Sequence, residues 1–414
     1  MPVSNRDRGI IRKLASQIAE IAALPVQAET VALWKALNGL KPVRPMVMID
    51  QIPWHEMEVD GELTLQCEDG FCRGFEGRFR RTLYSWTHMR ADMVVEPVVE
   101  VGKAICNTGF GIRTQEKTAV LDPRNNVVGH FYLDQLKTEA DLDKIRTPEI
   151  ALDEEATARV EEQARELFDG LLDVRMQGSL PSFAPWDVIV QWHGVEEMLF
   201  DLADRPEFMH GIISRLTHAM LSMLDQLEEQ GLLGHSQSTI HCCGAHTDEL
   251  PAPGFDPAHP RAKDLWTSGM AQIFSTVSPA THQEFELAYA NRWYDRFGLV
   301  YYGCCEPLDR KVSYIRDIPH VRKVSMSPWV DQDRGAEQLA PDLVFSRKPS
   351  PAFLCVDDWD PAAVEKDLRN TVDTCARHGC PVELILKDIS TVRYEPQRLW
   401  EWEDIARRVV EETA

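Results

Sequence analysis

The chain has 414 residues, 44% of them hydrophobic and 27% charged, so it can bury a sizeable core in one large domain or two smaller ones. Its formal net charge of −22 at pH 7 repels phosphate backbones and anionic lipid, which argues against nucleic acid and membrane surfaces as partners. The amphipathic start lacks the compact apolar core of a secretory signal. We therefore expect a cytoplasmic protein that acts on a small molecule.

Two helices are predicted at the N-terminus, because apolar residues recur at helical spacing through residues 6–40. We expect residues 1–40 to form a helical extension that packs on the main body. From residue 41 onward, short β-rich runs alternate with helical stretches at 187–231, 279–298 and 360–379, the last of which ends in a glycine suited to a helix C-cap. Strands are predicted at 44–50, 92–99, 172–178, 238–244, 299–305, 322–329, 342–348 and 382–388.

Apolar strands that alternate with amphipathic helices indicate a parallel sheet buried on both faces. Eight such units favour an α/β fold of the (β/α)8 TIM barrel type over residues 41–414. An open doubly wound sheet is the alternative. No predicted strand is followed by a G-x-G-x-x-G or G-x-x-x-x-G-K-[ST] loop, so a cradle for nucleotide phosphates is not indicated.

Two predicted strand ends carry cysteine doublets, in "IHCCG" at 240–244 and "YYGCCEP" at 301–307. The carboxyl ends of barrel strands hold the active site, and neighbouring ends lie close together. Thiolate and imidazole are ligands that Zn²⁺ prefers, so His241, Cys243 and Cys304 are candidate metal ligands. Because side chains alternate along a strand, one thiol of each doublet is expected to face the metal. Two alternatives stay open: the thiols pack as small apolar residues, or they act without a metal.

Other polar residues follow the same strand ends, around the mouth of the predicted barrel. Glu306, Lys387 and Asp388 are candidate acid and base groups, although Lys387 and Asp388 could equally form a structural ion pair. Arg347 and Lys348 could hold a substrate carboxylate or form a solvated surface pair. The candidate substrate-binding residues are His55, Glu96, Tyr302, Arg347 and Lys348.

Over roughly residues 40–410 the sequence resembles the uroporphyrinogen decarboxylase superfamily. The segments that carry this resemblance are "MAQIFSTVSPATHQEFELAY", "LVYYGCCEPLD" and "VELILKDISTVRYEPQRLWEW". The superfamily consists of (β/α)8 barrels that include the decarboxylase and corrinoid-dependent methyltransferases, so the resemblance implies that fold and one of these chemistries. Its methyltransferase members hold zinc by a His-x-Cys at one strand end and a Cys after the last strand. At those positions this chain has Tyr302, Cys304 and Ser390, so only Cys304 keeps its type.

Three functional hypotheses follow. The first is a methyltransferase that exchanges a methyl group between a small methylated substrate and a thiol or a corrinoid carried by a partner protein, with Zn²⁺ assisting. The second is a metal-independent decarboxylase or lyase acting on a small carboxylic acid, and the third is a non-catalytic barrel that partners a corrinoid protein. Porphyrinogen decarboxylation is disfavoured, because a chain of net charge −22 is a poor receptor for an octa-acid. The resemblance also allows a homodimer.

Overall fold

The computed structural model describes residues 3–120, 128–234 and 237–413. Its α-helices are α1 (Asn5–Ala22), α2 (Pro25–Asn38), α3 (Gly70–His88), α4 (Glu154–Phe168), α5 (Pro185–His193), α6 (Val195–Asp204), α7 (Pro206–Glu229), α8 (Pro279–His282), α9 (Ala288–Tyr294), α10 (Val312–Ile315), α11 (Gln332–Leu339), α12 (Ala352–Cys355), α13 (Pro361–His378) and α14 (Gln397–Glu411). Its strands are β1 (Met46–Ile49), β2 (Val98–Gly102), β3 (Ile105–Asn107), β4 (Glu116–Val120), β5 (Val128–Tyr132), β6 (Ile150–Leu152), β7 (Asp173–Gln177), β8 (Thr239–Ile240), β9 (Cys243–Gly244), β10 (Trp266–Gly269), β11 (Leu299–Tyr302), β12 (Val321–Met326), β13 (Val344–Arg347) and β14 (Val382–Leu386).

Six strands form a parallel sheet in the order β1-β14-β13-β12-β11-β10. The first and last strands of the chain are neighbours in this sheet, with Met46 opposite Glu383 and Ile49 opposite Leu386. A second parallel pair joins β2 and β7, and a single bridge links Phe183 to Gly269 of β10. The expected mixed α/β fold with a parallel sheet is therefore confirmed, and the strand order is consistent with a (β/α)8 barrel.

Capping residues explain where several helices begin and end. The Ser4 side chain accepts a hydrogen bond at the start of α1, and Asp69 and Asp360 do the same for α3 and α13. Helix α13 ends at Gly379, whose φ of 66° is left-handed, as the sequence predicted for this C-cap. Across the described ranges, no helix combines the length and the apolar character that crossing a membrane requires.

Side chains of the sheet alternate between two faces. Tyr301 and Val344 pack with Trp34 and the short β8–β9 segment, and we call this the inner face. The residues next to them in β11 and β13, Tyr302 and Phe345, pack against the surrounding helices, and we call this the outer face. A side chain that follows the strand pleat is thereby assigned to one face or the other.

The structure corrects three predicted elements. Residues 238–244 form an antiparallel hairpin of β8 and β9, in which Ile240 pairs with Cys243. His241 and Cys242 form its turn at φ 41° and 69°, which no continuous strand allows. The helical stretch at 187–231 is divided into α5, α6 and α7. Strand β10 was not predicted, and the strand predicted at 92–99 begins only at Val98.

Candidate active site

Three chain segments meet at the carboxyl edge of the sheet: the loops after β11 and β14 and the tip of the β8–β9 hairpin. They bring together His241, Cys304, Cys305, Lys387 and Asp388, which we call the thiol–lysine cluster. Lys387 Nζ lies 3.0 Å from Cys304 Sγ, 3.6 Å from Cys305 Sγ and 2.8 Å from Asp388 Oδ2. The two sulfurs are 3.5 Å apart, and Cys305 Sγ lies 3.3 Å from Asp388 Oδ2. The ammonium group of Lys387 therefore contacts two thiols and a carboxylate.

Both thiols of this doublet reach the cluster because the strand ends before them. Strand β11 stops at Tyr302, and Gly303 turns the chain with a φ of 93°. A Cβ atom on Gly303 would lie 2.4 Å from Leu308 Cδ1, so a larger residue does not fit there. The alternation expected to separate Cys304 from Cys305 applies only within a strand, and it does not hold here.

Several residues around the cluster hold backbone conformations that side chains rarely adopt. His241, Gln51 and Asp388 have φ values of 41°, 51° and 56°. The Asp388 backbone N–H donates to Gln51 Oε1 at 3.1 Å, which joins the loop after β1 to the loop after β14. Left-handed non-glycine residues cost on the order of 1–3 kcal/mol each and concentrate at functional sites. Tertiary packing, not local sequence, therefore fixes this arrangement.

The cluster stabilises a thiolate on Cys304. A hydrogen bond from Cys305 lowers the pKa of the Cys304 thiol, and His241 and Lys387 add to this effect against the cost of burial. The same hydrogen bond and burial raise the pKa of Cys305, so the pair holds one negative charge. Burial lowers the pKa of Lys387, but the Cys304 thiolate and Asp388 outweigh it and raise that pKa above its ordinary value. Lys387 is thus an ammonium beside a thiolate.

His241 reaches the cluster from the tip of the hairpin. Burial lowers the pKa of its imidazole, which favours the neutral form. The ring lies 4.9 Å from the ring of Tyr301, and its buried Nε2 has no hydrogen-bond partner among the described residues. A neutral imidazole with a free ring nitrogen beside a thiolate can orient the sulfur or accept a hydrogen bond from a ligand.

The three predicted zinc ligands do not converge. Cys243 Sγ lies 3.4 Å from Lys323 Nζ and 3.0 Å from the Ile240 carbonyl oxygen, whereas Cys304 Sγ lies beside Lys387. Among the described residues, no three His, Cys, Asp or Glu side chains form a group that could hold a metal ion. An ammonium beside each sulfur repels a cation at the same place. His241, Cys243 and Cys304, predicted as ligands from the strand ends, therefore do not present three ligands to one point.

Glu306 is buried beneath the loop that carries the thiols. Its carboxylate accepts hydrogen bonds from the backbone N–H groups of Cys304 at 2.9 Å and Ala271 at 3.2 Å. Burial raises the pKa of Glu306 to about 7, and the charge of Cys304 contributes in the same direction. Glu306 thus positions the Cys304 backbone and couples its own protonation to the thiolate.

Two predicted substrate-binding residues lie on the outer face of the sheet, away from the cluster. The Tyr302 hydroxyl lies 2.6 Å from His282 Nε2 and donates to Glu286 Oε2 at 2.9 Å. Arg347 is buried and pairs with Asp367 at 3.4 Å. Both side chains follow the strand pleat to the face opposite Tyr301 and Ser346, so the structure separates them from the predicted mouth.

The other three predicted substrate-binding residues lie in different surroundings. Lys348 is on the inner face, only 3% exposed, and its Nζ donates to Tyr301 Oη at 2.5 Å and Ser346 Oγ at 2.8 Å. Glu96 lines a separate cavity of about 170 Å³ near β2. His55 is exposed and lines a larger cavity, together with residues of the loops after β1 and β14.

This larger cavity, which we call the Trp54 cavity, has a volume of about 500 Å³. One wall includes Ile52 and Trp54, which come directly after Gln51, and another includes Ile389 and Ser390, which come directly after Asp388. The hydrogen bond between Asp388 and Gln51 therefore joins the two loops that continue into these walls. The sequence pointed to His55 and Ser390 but not to Arg81 or the apolar walls of this cavity, because they carry no recognisable motif.

Comparison with known proteins finds similarity in structure but not in sequence. No protein-family profile matches this chain, and no curated protein sequence matches it. Among solved structures, it is similar to a methyltransferase from Methanosarcina mazei, with a TM-score of 0.49 and 12% sequence identity over 93% of this chain and 98% of that chain.

Proposed function

We propose that the chain is a methyltransferase in which the Cys304 thiolate receives a methyl group from a small methylated substrate. The observation that carries this proposal is the 3.0 Å contact between Lys387 Nζ and Cys304 Sγ. A nearby cation favours the thiolate, which is the nucleophilic form of cysteine. In the superfamily that the sequence resembles, zinc activates a thiol for methyl transfer, and here the ammonium supplies the positive charge. The proposal takes the parallel sheet as part of a (β/α)8 barrel whose strand ends hold the site.

The proposed step is an in-line displacement at the methyl carbon. A sulfur–carbon bond forms at Cys304, the bond between the methyl carbon and the leaving atom breaks, and its electron pair departs with the leaving group. Methylation removes the negative charge on Cys304, which is a main reason that the pKa of Lys387 is raised. Lys387 then becomes a better acid and can protonate the leaving group. Asp388, whose side chain is 47% exposed, can return that proton from solvent.

In the second step the sulfur–carbon bond at Cys304 breaks as the methyl carbon bonds to an acceptor bound over the cluster, and its electron pair returns to Cys304 as the thiolate. From the resemblance we propose a corrinoid carried by a partner protein, which supplies a cobalt nucleophile for methyl groups when it is bound. A homodimer is part of the same proposal. The competing lyase hypothesis needs Lys348 or Lys387 to clamp a substrate carboxylate. The Lys348 ammonium is buried against Tyr301 and Ser346, and the Lys387 ammonium already pairs with Asp388, so the geometry gives that hypothesis less support.

Methylation of Cys304 tests the proposal directly. The protein is incubated with methylated amines, ethers and thiols, and peptide mass mapping locates any added methyl group. We expect the methyl group on Cys304, and we expect Cys304→Ser to reduce the transfer rate by roughly 100-fold or more. Cys305→Ser is the matched control, because a serine hydroxyl can still donate a hydrogen bond to the Cys304 sulfur.

Two outcomes would contradict the proposal. If methyl transfer continues at the same rate in Cys304→Ser, the thiolate is not the acceptor. If chelation abolishes transfer in the unmodified protein and added zinc restores it, the reaction depends on a metal and not on the ammonium of Lys387. Circular dichroism spectra of both serine variants check that a lost rate does not reflect a lost fold.

A further inference from the structure

The Trp54 cavity differs in chemistry from most of this acidic chain. Its lining is largely apolar, with Trp54, Leu63 and Leu65 among its walls, and its charged or titratable side chains are Arg81 and His55. None of the lining residues is Asp or Glu, although the chain contains 66 acidic residues. Its volume of about 500 Å³ suits a small molecule. An apolar cavity with a cationic group and no carboxylate favours an organic anion over a cation.

Arg81 is the cation of this cavity. Its guanidinium lies over the Trp54 ring, 5.4 Å from the centroid, and no described carboxylate forms an ion pair with it. Its neighbours on α3 differ: Arg80 pairs with Glu76 at 2.8 Å, and Arg78 donates to a backbone carbonyl oxygen at 3.0 Å. The donors of Arg81 thus remain available to a ligand, and guanidinium is the group that binds carboxylates in bidentate fashion.

We propose that the Trp54 cavity binds the substrate, and that this substrate is a carboxylate with an aromatic or other flat apolar body. The carboxylate would bind Arg81, and the apolar body would lie against Trp54 and the leucine side chains. The wall formed by Ile389 leads directly to Asp388, whose Oδ2 lies 3.3 Å from Cys305 Sγ. The end of the ligand opposite its carboxylate would therefore extend toward the cluster. The assignment as substrate rests on the proposed methyl transfer, but binding of the carboxylate does not.

Gly77 offers a way to fill this cavity without changing Arg81. It lies one helical turn before Arg81 on α3 and lines the same cavity. A Cβ atom added to Gly77 would meet only Leu65 Cδ2, at 3.9 Å, which is an ordinary contact. Gly77→Ala is therefore tolerated and should favour the helix, whereas the larger side chain of Gly77→Leu would enter the cavity.

The experiment measures binding of 4-methoxybenzoate, with 4-methoxybenzyl alcohol as the uncharged probe of the same shape, by isothermal titration calorimetry. We expect 4-methoxybenzoate to bind more tightly than the alcohol. Arg81→Gln should weaken 4-methoxybenzoate by about 10- to 100-fold and leave the alcohol unchanged, because only the carboxylate loses a charge-assisted bond. Gly77→Leu should weaken the binding of both probes, and Gly77→Ala should leave the binding of both unchanged.

The proposal is overturned if the unmodified protein binds neither probe, if both probes bind equally well, or if Arg81→Gln leaves 4-methoxybenzoate affinity unchanged. Repeating the titration with Cys304→Ser separates this inference from the proposed function. Carboxylate binding by both the unmodified protein and Cys304→Ser, with no methyl group found on Cys304 of the unmodified protein, would leave the cavity assignment standing and defeat methyl transfer. Methylation of Cys304 by other substrates, without carboxylate binding, would defeat the cavity assignment alone.

Discussion

Two cysteine doublets lie next to a buried lysine, and the two lysines differ in what else they contact. Lys387 Nζ is 3.0 Å from Cys304 Sγ and pairs at 2.8 Å with Asp388, which is half-exposed. Lys323 Nζ is 3.4 Å from Cys243 Sγ at the base of the hairpin, under the inner face of the sheet. The distances between sulfur and nitrogen are similar, so proximity alone does not distinguish the two thiols.

Two things differ between the doublets: the hydrogen bond from Cys305 that lowers the pKa of Cys304, and the counter-ion of each lysine. Lys323 Nζ lies 2.7 Å from Glu383 Oε2, and both side chains are 0% exposed. That pair is already neutral, and burial raises the pKa of Cys243 to about 12, so its thiol keeps its proton. At the other doublet solvent screens Asp388, and the pKa of Cys304 is lowered. Of these two lysines, only the one without a buried carboxylate partner lies beside a thiol whose pKa is lowered.

The largest effect is expected from breaking the buried pair. Lys323→Met leaves Glu383 ionised without a partner in the core, or forces it to take up a proton. Removing one member of a buried ion pair costs about 3–5 kcal/mol, so we expect the free energy of unfolding in urea to fall by that amount. The reactivity of Cys243 toward alkylating reagents should stay low in the native state.

The double variant Lys323→Met with Glu383→Gln is the control for this prediction. Replacing both charges removes the isolated carboxylate, so part of the lost stability should return. If Lys323→Met alone costs about 1 kcal/mol or less, as exposed salt bridges do, the pair does not hold the charge as described. The contrast between the two doublets would then need another cause.

A smaller effect is expected from Lys387→Met, which removes the cation beside Cys304. Without it the pKa of Cys304 rises, and the thiolate fraction at pH 6 falls. We expect the rate of Cys304 alkylation by iodoacetamide at pH 6 to drop about 10-fold, measured by mass mapping of the modified peptide. Asp388→Asn is the opposite control: it removes a negative charge near the sulfur, so alkylation should not slow. An unchanged rate in Lys387→Met would show that Lys387 does not activate the thiol.

Strand periodicity predicted much of the sheet and failed at its ends. Apolar runs placed β1, β11, β12, β13 and β14 close to their observed positions, because most of their residues are buried in the sheet, and β7 was also placed although its residues are only partly buried. The hairpin at 238–244 was missed, because His241 and Cys242 adopt positive φ without the Asn or Gly that usually marks such a turn. Its packing explains why: a Cβ atom on Gly244 would lie 2.3 Å from the Trp34 ring, so the hairpin is held by a contact with distant α2.

The candidate site was predictable only in part for the same reason. The sequence placed Cys304 and Lys387 at strand ends, but their contact joins residues 83 positions apart and depends on the sheet order. Tyr302 and Arg347 were predicted at the site because they end strands, yet the pleat turns both to the outer face. Arg81 lies on α3 with no motif around it, and only the fold shows that it lines the Trp54 cavity.

The smallest expected effect tests whether the charge on Cys304 extends to Glu306. Burial raises the pKa of Glu306 to about 7 from an ordinary value of 4.5, so the folded state binds this proton more tightly than the unfolded state does. The resulting stabilisation is present below pH 4.5 and is lost as the pH rises through about 7. Glu306→Gln should therefore flatten the pH dependence of the unfolding free energy across this window, by roughly 3 kcal/mol at most. Cys304→Ser removes the thiolate that also raises the pKa of Glu306, so it should shift the window toward lower pH. Parallel stability curves for the unmodified protein and Glu306→Gln would mean that Glu306 does not take up a proton here, and an unshifted window in Cys304→Ser would mean that Cys304 carries no charge.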